Sequence, residues 1–354
     1  MPQNDAKNQG GRVGEDSTFR ERDEVLMKKI LSIDGGGMKG IVSAVVLRDL
    51  ERKLREYSKN PDARLADYMD LIAGTSTGAI LTGLYLFAND HGGSKFSAEE
   101  VLQLYIDQGE YIFKRRFGYP FVGAKYTNRR LKQRLYEYFG DACIADLRRP
   151  CLMVAYDMTK KQAVFFNTVS SRKDEKRNYS LVDAIMASTA APTYFPPQPL
   201  TIGKKRVNCL VDGGVVANNP AMTALIESLK LPGNNKIEDT LLLSVGNLTN
   251  KKSYCYDEVK RWGLISWAVP MFDVLLNGNE QTVDYELRKI YQAIDKPHNY
   301  YRMIWVTEEE IPGMDDTGAD DIKKLIEYGE KLAYREKYRI EEIARKITED
   351  KVPL

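Results

Sequence analysis

A chain of 354 residues, 43% hydrophobic, can bury a substantial core as one large domain or two ordinary ones. A formal charge of +2 excludes a global electrostatic partner, so neither DNA nor RNA is expected and any charge argument must be local. The four cysteines, Cys143, Cys151, Cys209 and Cys255, form no C-x-x-C pair and have no histidine near them, which argues against a zinc site or disulfide framework and fits a reducing compartment.

Residues 1–24 are polar and charged, with no apolar signal-peptide core, and a disordered tail is expected there. Met27 to Ile33 predicts a strand that ends at Asp34-Gly35-Gly36-Gly37-Met38-Lys39-Gly40, followed by a helix from Ile41 to about Tyr57. Met69 to Ala73 predicts a second buried strand, parallel to the first across a right-handed connection. Both glycine-rich turns then lie at the carboxyl edge of one sheet, where open α/β sheets bind ligands. Gly78 to Ala88, the longest apolar stretch, is too short to span a membrane, so a soluble cytoplasmic protein is expected.

Residues 97–139 read as mainly helical, with Ser97 and Glu100 spaced as a capping box. Leu152 to Ala155 and Ala163 to Phe166 read as a strand pair around a polar turn, and Arg172 to Arg177 as a solvated loop. Ser180 caps the next helix; Val207 to Val211 and Leu241 to Val245 predict two more strands. Beyond Asp257 the chain reads as mostly helical, with a strand at Met303 to Val306. The expected division is a tail over 1–24, a main domain over 25–250, and a mainly helical extension over 251–354 packed on it.

Gly74-Thr75-Ser76-Thr77-Gly78 is G-x-S-x-G between a strand and a helix, the context of a nucleophile elbow. The glycines let strand and helix pass close while Ser76 projects from a helix N-terminus, where negative charge is favoured. Gly35-x-Gly37-x-x-Gly40 also satisfies the dinucleotide fingerprint, but the second strand ends without a carboxylate for a ribose, and Asp34 would oppose a pyrophosphate. Amides of the same turn can instead cradle an oxyanion.

Of two histidines, His91 and His298, only His298 completes the order Ser76, Asp212, His298 of an α/β-hydrolase. Its setting, Lys296-Pro297-His298-Asn299, is a polar loop with nothing to aim it. Asp212 ends a buried strand before two glycines and is the better base, provided that burial raises its pKa.

Taken together, Ile30 to Gly40, Gly74 to Gly78, Ala187 to Pro197 and Asp212 to Pro220 resemble the patatin-like phospholipases, in order, over about residues 28–250. The resemblance implies a three-layer α/β/α fold with a mainly parallel sheet, and a Ser-Asp dyad hydrolase acting on membrane phospholipid esters. Carried over, Ser76 is the nucleophile, Asp212 the base, and Gly35, Gly36 and Gly37 the oxyanion hole, with no cofactor and no metal. The chain departs from the family at Gly246-Asn247-Leu248, where many members have Gly-Thr-Gly. Alternatives are a non-catalytic lipid- or nucleotide-binding module, or a Ser-His-Asp esterase using His298.

Residues 114–134 hold eight Lys/Arg and no acid, interleaved with aromatics, which suggests an anion-binding surface centred on Arg129, Arg130 and Arg134. Some bacterial patatin-like proteins of this layout are anti-phage effectors switched on by cyclic nucleotides, so a cyclic nucleotide activator is a candidate partner, alongside peripheral contact with the inner face of the membrane and a homo-oligomer. Trp262 to Phe272 reads as core or subunit contact in preference to a membrane-inserting wedge.

Overall fold

The computed structural model describes residues 27–114, 123–202, 205–233, 235–251 and 254–349. The expected tail over 1–24 and the basic residues Arg115 and Arg116 lie outside the described residues.

Alternating apolar residues give each central strand two buried faces. In β1 (Lys28–Ile33), Leu31 and Ile33 point to one core and Ile30 to another. Ile72 and Leu71 divide in the same way in β2 (Leu71–Thr75), as do Met153 and Leu152 in β3 (Cys151–Asp157). The other strands are β4 (Gln162–Asn167), β5 (Gln198–Ile202), β6 (Lys205–Asp212), β7 (Thr240–Asn250) and β8 (Tyr300–Thr307). All join one sheet in the order β5-β6-β3-β2-β1-β7-β8, with β4 paired to β3. The run from β3 through β2, β1 and β7 to β8 is parallel, while β4 and β6 pair antiparallel to β3 and β5 to β6. Being covered on both faces is what a parallel sheet requires.

Helices α1 (Gly40–Ser58), α2 (Thr77–Leu86), α3 (Ala98–Ile112), α4 (Arg129–Phe139) and α5 (Leu181–Ser188) cover the first face. On the second lie α6 (Ala221–Ser228) and the distal part of α7 (Leu264–Ala293), through Val283, Leu287 and Tyr291. Helices α8 (Ala319–Arg335) and α9 (Lys337–Glu349) pack over α1, where a Cβ at Gly329 would lie 2.7 Å from Val45 Cβ. The architecture is the expected three-layer α/β/α fold around a mainly parallel sheet. The capping box at Ser97 forms as read, Ser97 N–H donating to Glu100 Oε2 at 2.8 Å and Glu100 N–H to Ser97 Oγ at 3.2 Å.

Four readings change. Residues 172–177 are not a loop: Asn167 caps a helix over Thr168–Lys173, its Oδ1 accepting from Ser170 N–H at 2.7 Å, and a 3-10 turn spans Glu175–Arg177. β5 escapes the sequence pattern because Pro197 and Pro199 disfavour a strand; it survives as an edge that pairs with β6. The segment after 250 does more than pack on the outside, since β8 lies in the sheet beside β7. Finally, described side chains in Trp262 to Phe272 are not core: Leu264, which opens α7, is 90% exposed. The side chains of Ile265, Ala268, Val269 and Phe272 lie outside the described residues.

Candidate active site

β2 delivers Ser76 into a strained turn, φ 55° and ψ −118°, directly before α2. A non-glycine residue persists there only when its surroundings hold it. Thr75 Oγ1 donates to the Ala217 carbonyl at 2.6 Å, and Ser76 N–H donates to Ser188 Oγ at 2.9 Å. The glycines are steric necessities: a Cβ at Gly74 would fall on the Gly78 carbonyl, and one at Gly78 on the Ile33 carbonyl.

The antiparallel pairing of β6 with β3, Asp212 opposite Ala155, brings Asp212 to the elbow. The Ser76 hydroxyl faces its carboxylate and favours the charged form as a donor would, and Gly214 N–H donates to Oδ1 at 2.7 Å. Burial is the largest influence on Asp212 and raises its pKa to about 6, against the opposing effect of these two donors. A carboxylate so placed is a far better base than an exposed one. A Cβ at Gly213 would fall on the Val154 carbonyl, so the close strand approach that seats Asp212 requires glycine there.

The three glycines expected to form an oxyanion hole separate. Gly36 and Gly37 line the cleft with Ser76 and Asp212. Gly35 is committed elsewhere, its N–H donating to the Asn218 carbonyl at 3.0 Å. Its own carbonyl accepts from Asn247 Nδ2 at 2.9 Å, so the Gly246-Asn247-Leu248 departure ties β7 to the turn. Gly37 has φ +60°, and a Cβ there would fall on the Met314 carbonyl.

From Ser76 and Asp212 the cleft runs between α2, α3 and α4. Ile80, Leu84, Leu104, Ile112, Leu131 and Leu135 give it an apolar wall, and Leu276 of α7 and Met314 reach it from the C-terminal part of the chain. Such a channel suits an acyl chain. Tyr105, also in the wall, is hydrogen-bonded to Thr77 Oγ1, and burial raises its pKa to about 12, so it stays neutral.

His298 is exposed and precedes β8, at the amino edge of the parallel strands, opposite the carboxyl edge that holds Ser76; His91 is likewise exposed in the turn after α2. Neither lines the cleft, and a triad through His298 is excluded by topology. The basic segment also differs from its reading. Lys125 is paired with Asp315, Lys132 with Asp183 at 3.2 Å, and Arg134 with Glu137 at 2.5 Å. Arg130 and Arg134 stack on the Tyr111 ring at 4.9 and 4.4 Å, while Arg129 is exposed. Acids and an aromatic face from outside the segment thus engage Lys125, Arg130, Lys132 and Arg134.

Sequence reasoning did not assign roles to Ser188, Asn218, Asn247 or Arg302. The first three lie in or beside recognisable motifs, so their positions were visible but their partners were not. Arg302 carries no local signal, yet it is buried against Asp34 at the head of the glycine turn.

A family model described as patatin-like phospholipase matches residues 31–225. The chain is 32% identical over 336 residues to "Probable inactive patatin-3-Kuras 1" of Solanum tuberosum, covering 89% of this chain and 88% of that protein. It is also 32% identical to Patatin-08 of the same plant, covering 89% and 86%. Among solved structures, VipD from Legionella pneumophila aligns over 88% of this chain and 67% of its own, with 13% identity and a TM-score of 0.37. With Ser76 at the elbow, Asp212 against it and these relatives spanning most of both chains, the protein belongs to the patatin-like phospholipase family of lipid acyl hydrolases.

Proposed function

We propose that the chain hydrolyses carboxylic esters of membrane phospholipids through a Ser76–Asp212 dyad and an acyl-enzyme. The observation that carries this reading is the Ser76 hydroxyl, presented by the strained elbow, set against a buried carboxylate whose pKa is raised to about 6. Ser76 Oγ attacks the ester carbonyl as its proton passes to Asp212, and the Gly36 and Gly37 amides receive the oxyanion. The ester C–O bond then breaks, and Asp212 returns the proton to the leaving alcohol. Water enters, gives its proton to Asp212 and attacks the acyl-serine; Ser76 leaves with that proton, and a fatty acid is released.

Peripheral contact with the substrate membrane is supported by α7. Leu276 lines the cleft, whereas Val274 and Leu275 next to it are 50% and 48% exposed, and Met271 and Leu264 continue the exposed apolar run. Tyr254, Trp262 and Trp267 cluster edge-to-face beside it, side chains suited to a lipid–water boundary. No described helix is long and apolar enough to cross a membrane. The basic helix offers a cyclic nucleotide less, because Arg130 and Arg134 are already engaged by Tyr111.

A fluorophosphonate probe is expected to label Ser76, and Ser76→Ala to be folded, unlabelled and inactive on phospholipid vesicles. Turnover by a folded Ser76→Ala protein overturns the dyad. Lipid profiling of cells expressing the active chain against Ser76→Ala identifies the substrate.

A further inference from the structure

Asp34 directly precedes the glycine turn and is fully buried. Left bare, a carboxylate there would repel the oxyanion that the next residues are arranged to bind. Arg302, from β8, meets it with both terminal guanidinium nitrogens: Nη1 donates to Oδ1 at 2.9 Å and Nη2 to Oδ2 at 2.5 Å. Burial raises the Asp34 pKa, and the Arg302 charge, held against both oxygens, opposes that rise and favours the carboxylate. Burial would lower the Arg302 pKa, but the Asp34 and Glu280 charges overcome it and raise it, so Arg302 is always a cation.

The same guanidinium also reaches β7 and α7. Nη1 donates to Ser244 Oγ of β7 at 2.9 Å, and Nη2 pairs with Glu280 of α7 at 2.8 Å. A Cβ at Gly246 would come 2.8 Å from Nη2, so the guanidinium packs on the backbone beside Asn247, the residue that holds the Gly35 carbonyl. Adjacent to Glu280, Asn279 Nδ2 donates to the Val216 carbonyl at 2.9 Å, in the short helix that follows Asp212.

We infer that Arg302 is a positioning residue for the oxyanion turn, cancelling the Asp34 charge beside it and bracing it against β7 and α7. The inference rests on the hydrolase reading. It implies that catalysis depends on a side chain from outside the family-matched segment 31–225.

The test is steady-state hydrolysis of a soluble p-nitrophenyl ester by Arg302→Gln, Arg302→Lys and the double variant Asp34→Asn/Arg302→Gln, with rates normalised to folded protein from thermal melts. Wild-type turnover is the control on which the hydrolase reading stands or falls; the variant ratios decide the present inference. Arg302→Gln is expected to lower kcat by about 10- to 100-fold, with KM changed by less than about threefold. Arg302→Lys should fall between it and wild type, since a point charge cannot grip both oxygens. The neutral pair should recover kcat to within about tenfold of wild type. Unchanged kcat per folded Arg302→Gln molecule, at whatever melting temperature, overturns the inference. If Arg302→Gln does not fold, the neutral pair decides: recovery supports charge cancellation, and a folded double variant more than about 100-fold down in kcat overturns it.

Discussion

Ser188 Oγ accepts the amide hydrogen of Ser76 at 2.9 Å, so the backbone at Ser76 is anchored to the end of α5 as well as to its own strand. Gly213 N–H donates to the Ser188 carbonyl at 3.4 Å, which makes one buried serine the joint between the Ser76 segment and the Asp212 segment. Ser188→Ala leaves a part-buried amide unpaired, at a cost of about 1–3 kcal/mol. The expected result is a lowered melting temperature together with slower fluorophosphonate labelling of Ser76 in the folded protein.

Asp212 links activity to stability with opposite signs. Its folded pKa of about 6 lies above the ordinary 3.8, so burial disfavours the carboxylate. The group is protonated in both states below about pH 4, where this cost is absent; as pH rises through 6, the folded state loses on the order of 3 kcal/mol. Asp212→Asn should therefore melt higher than wild type at pH 8, with the gap closing towards pH 4, while remaining inactive. Wild-type kcat/KM should rise with pH through about 6 and then level off. His298→Ala should leave that profile unchanged, and an inactive but folded His298→Ala protein would refute the dyad.

At the oxyanion turn, Gly37→Ala puts a methyl on the Met314 carbonyl at a positive φ, and Gly36→Ala puts one 2.5 Å from Asn247 Nδ2. Either change displaces amides that hold the transition state better than the substrate, so kcat should fall by roughly 10²-fold with little change in KM. Gly35→Ala would act through Asn218, where its Cβ would collide with Oδ1, and should also lower stability.

The exposed face of α7 separates lipid from ester. Leu264→Asp combined with Val274→Asp removes apolar side chains that reach solvent without touching the dyad. Hydrolysis of phosphatidylcholine vesicles should drop about tenfold or more, while turnover of a soluble short-chain ester stays within about twofold. In the Ser76→Ala background, tryptophan emission should shift to the blue on adding vesicles, and this shift should vanish in the double-Asp variant. A concentration-dependent change in mass that the two aspartates abolish, with vesicle hydrolysis intact, would assign this face to a second copy of the chain instead.

How much of this was readable before folding depends on distance along the chain. The elbow, the Asp-Gly-Gly base and the central strands are local patterns, with glycine spacing and apolar runs that carry their own geometry. Asp34 shows the limit. Its negative charge was legible and counted against an anion in the turn, but Arg302 stands 268 positions away and no pattern points to it. Similarly, the lone charge run at 114–134 read as an anion site because Asp315 and Asp183, which pair with its lysines, are contributed by other segments. β5 was hidden for a different reason, since prolines suppress strand signals except at an edge.

The place of β8 sets a boundary on how the protein can be shortened. Residues 31–225 carry the family match, yet β7 is flanked by β1 on one side and β8 on the other. Cutting the chain after residue 250 would bare the amides and carbonyls of an eleven-residue, mostly buried strand along one side. That is an open template for intermolecular pairing, and such a fragment should come out of cells as aggregate or filament even with Ser76 and Asp212 both present.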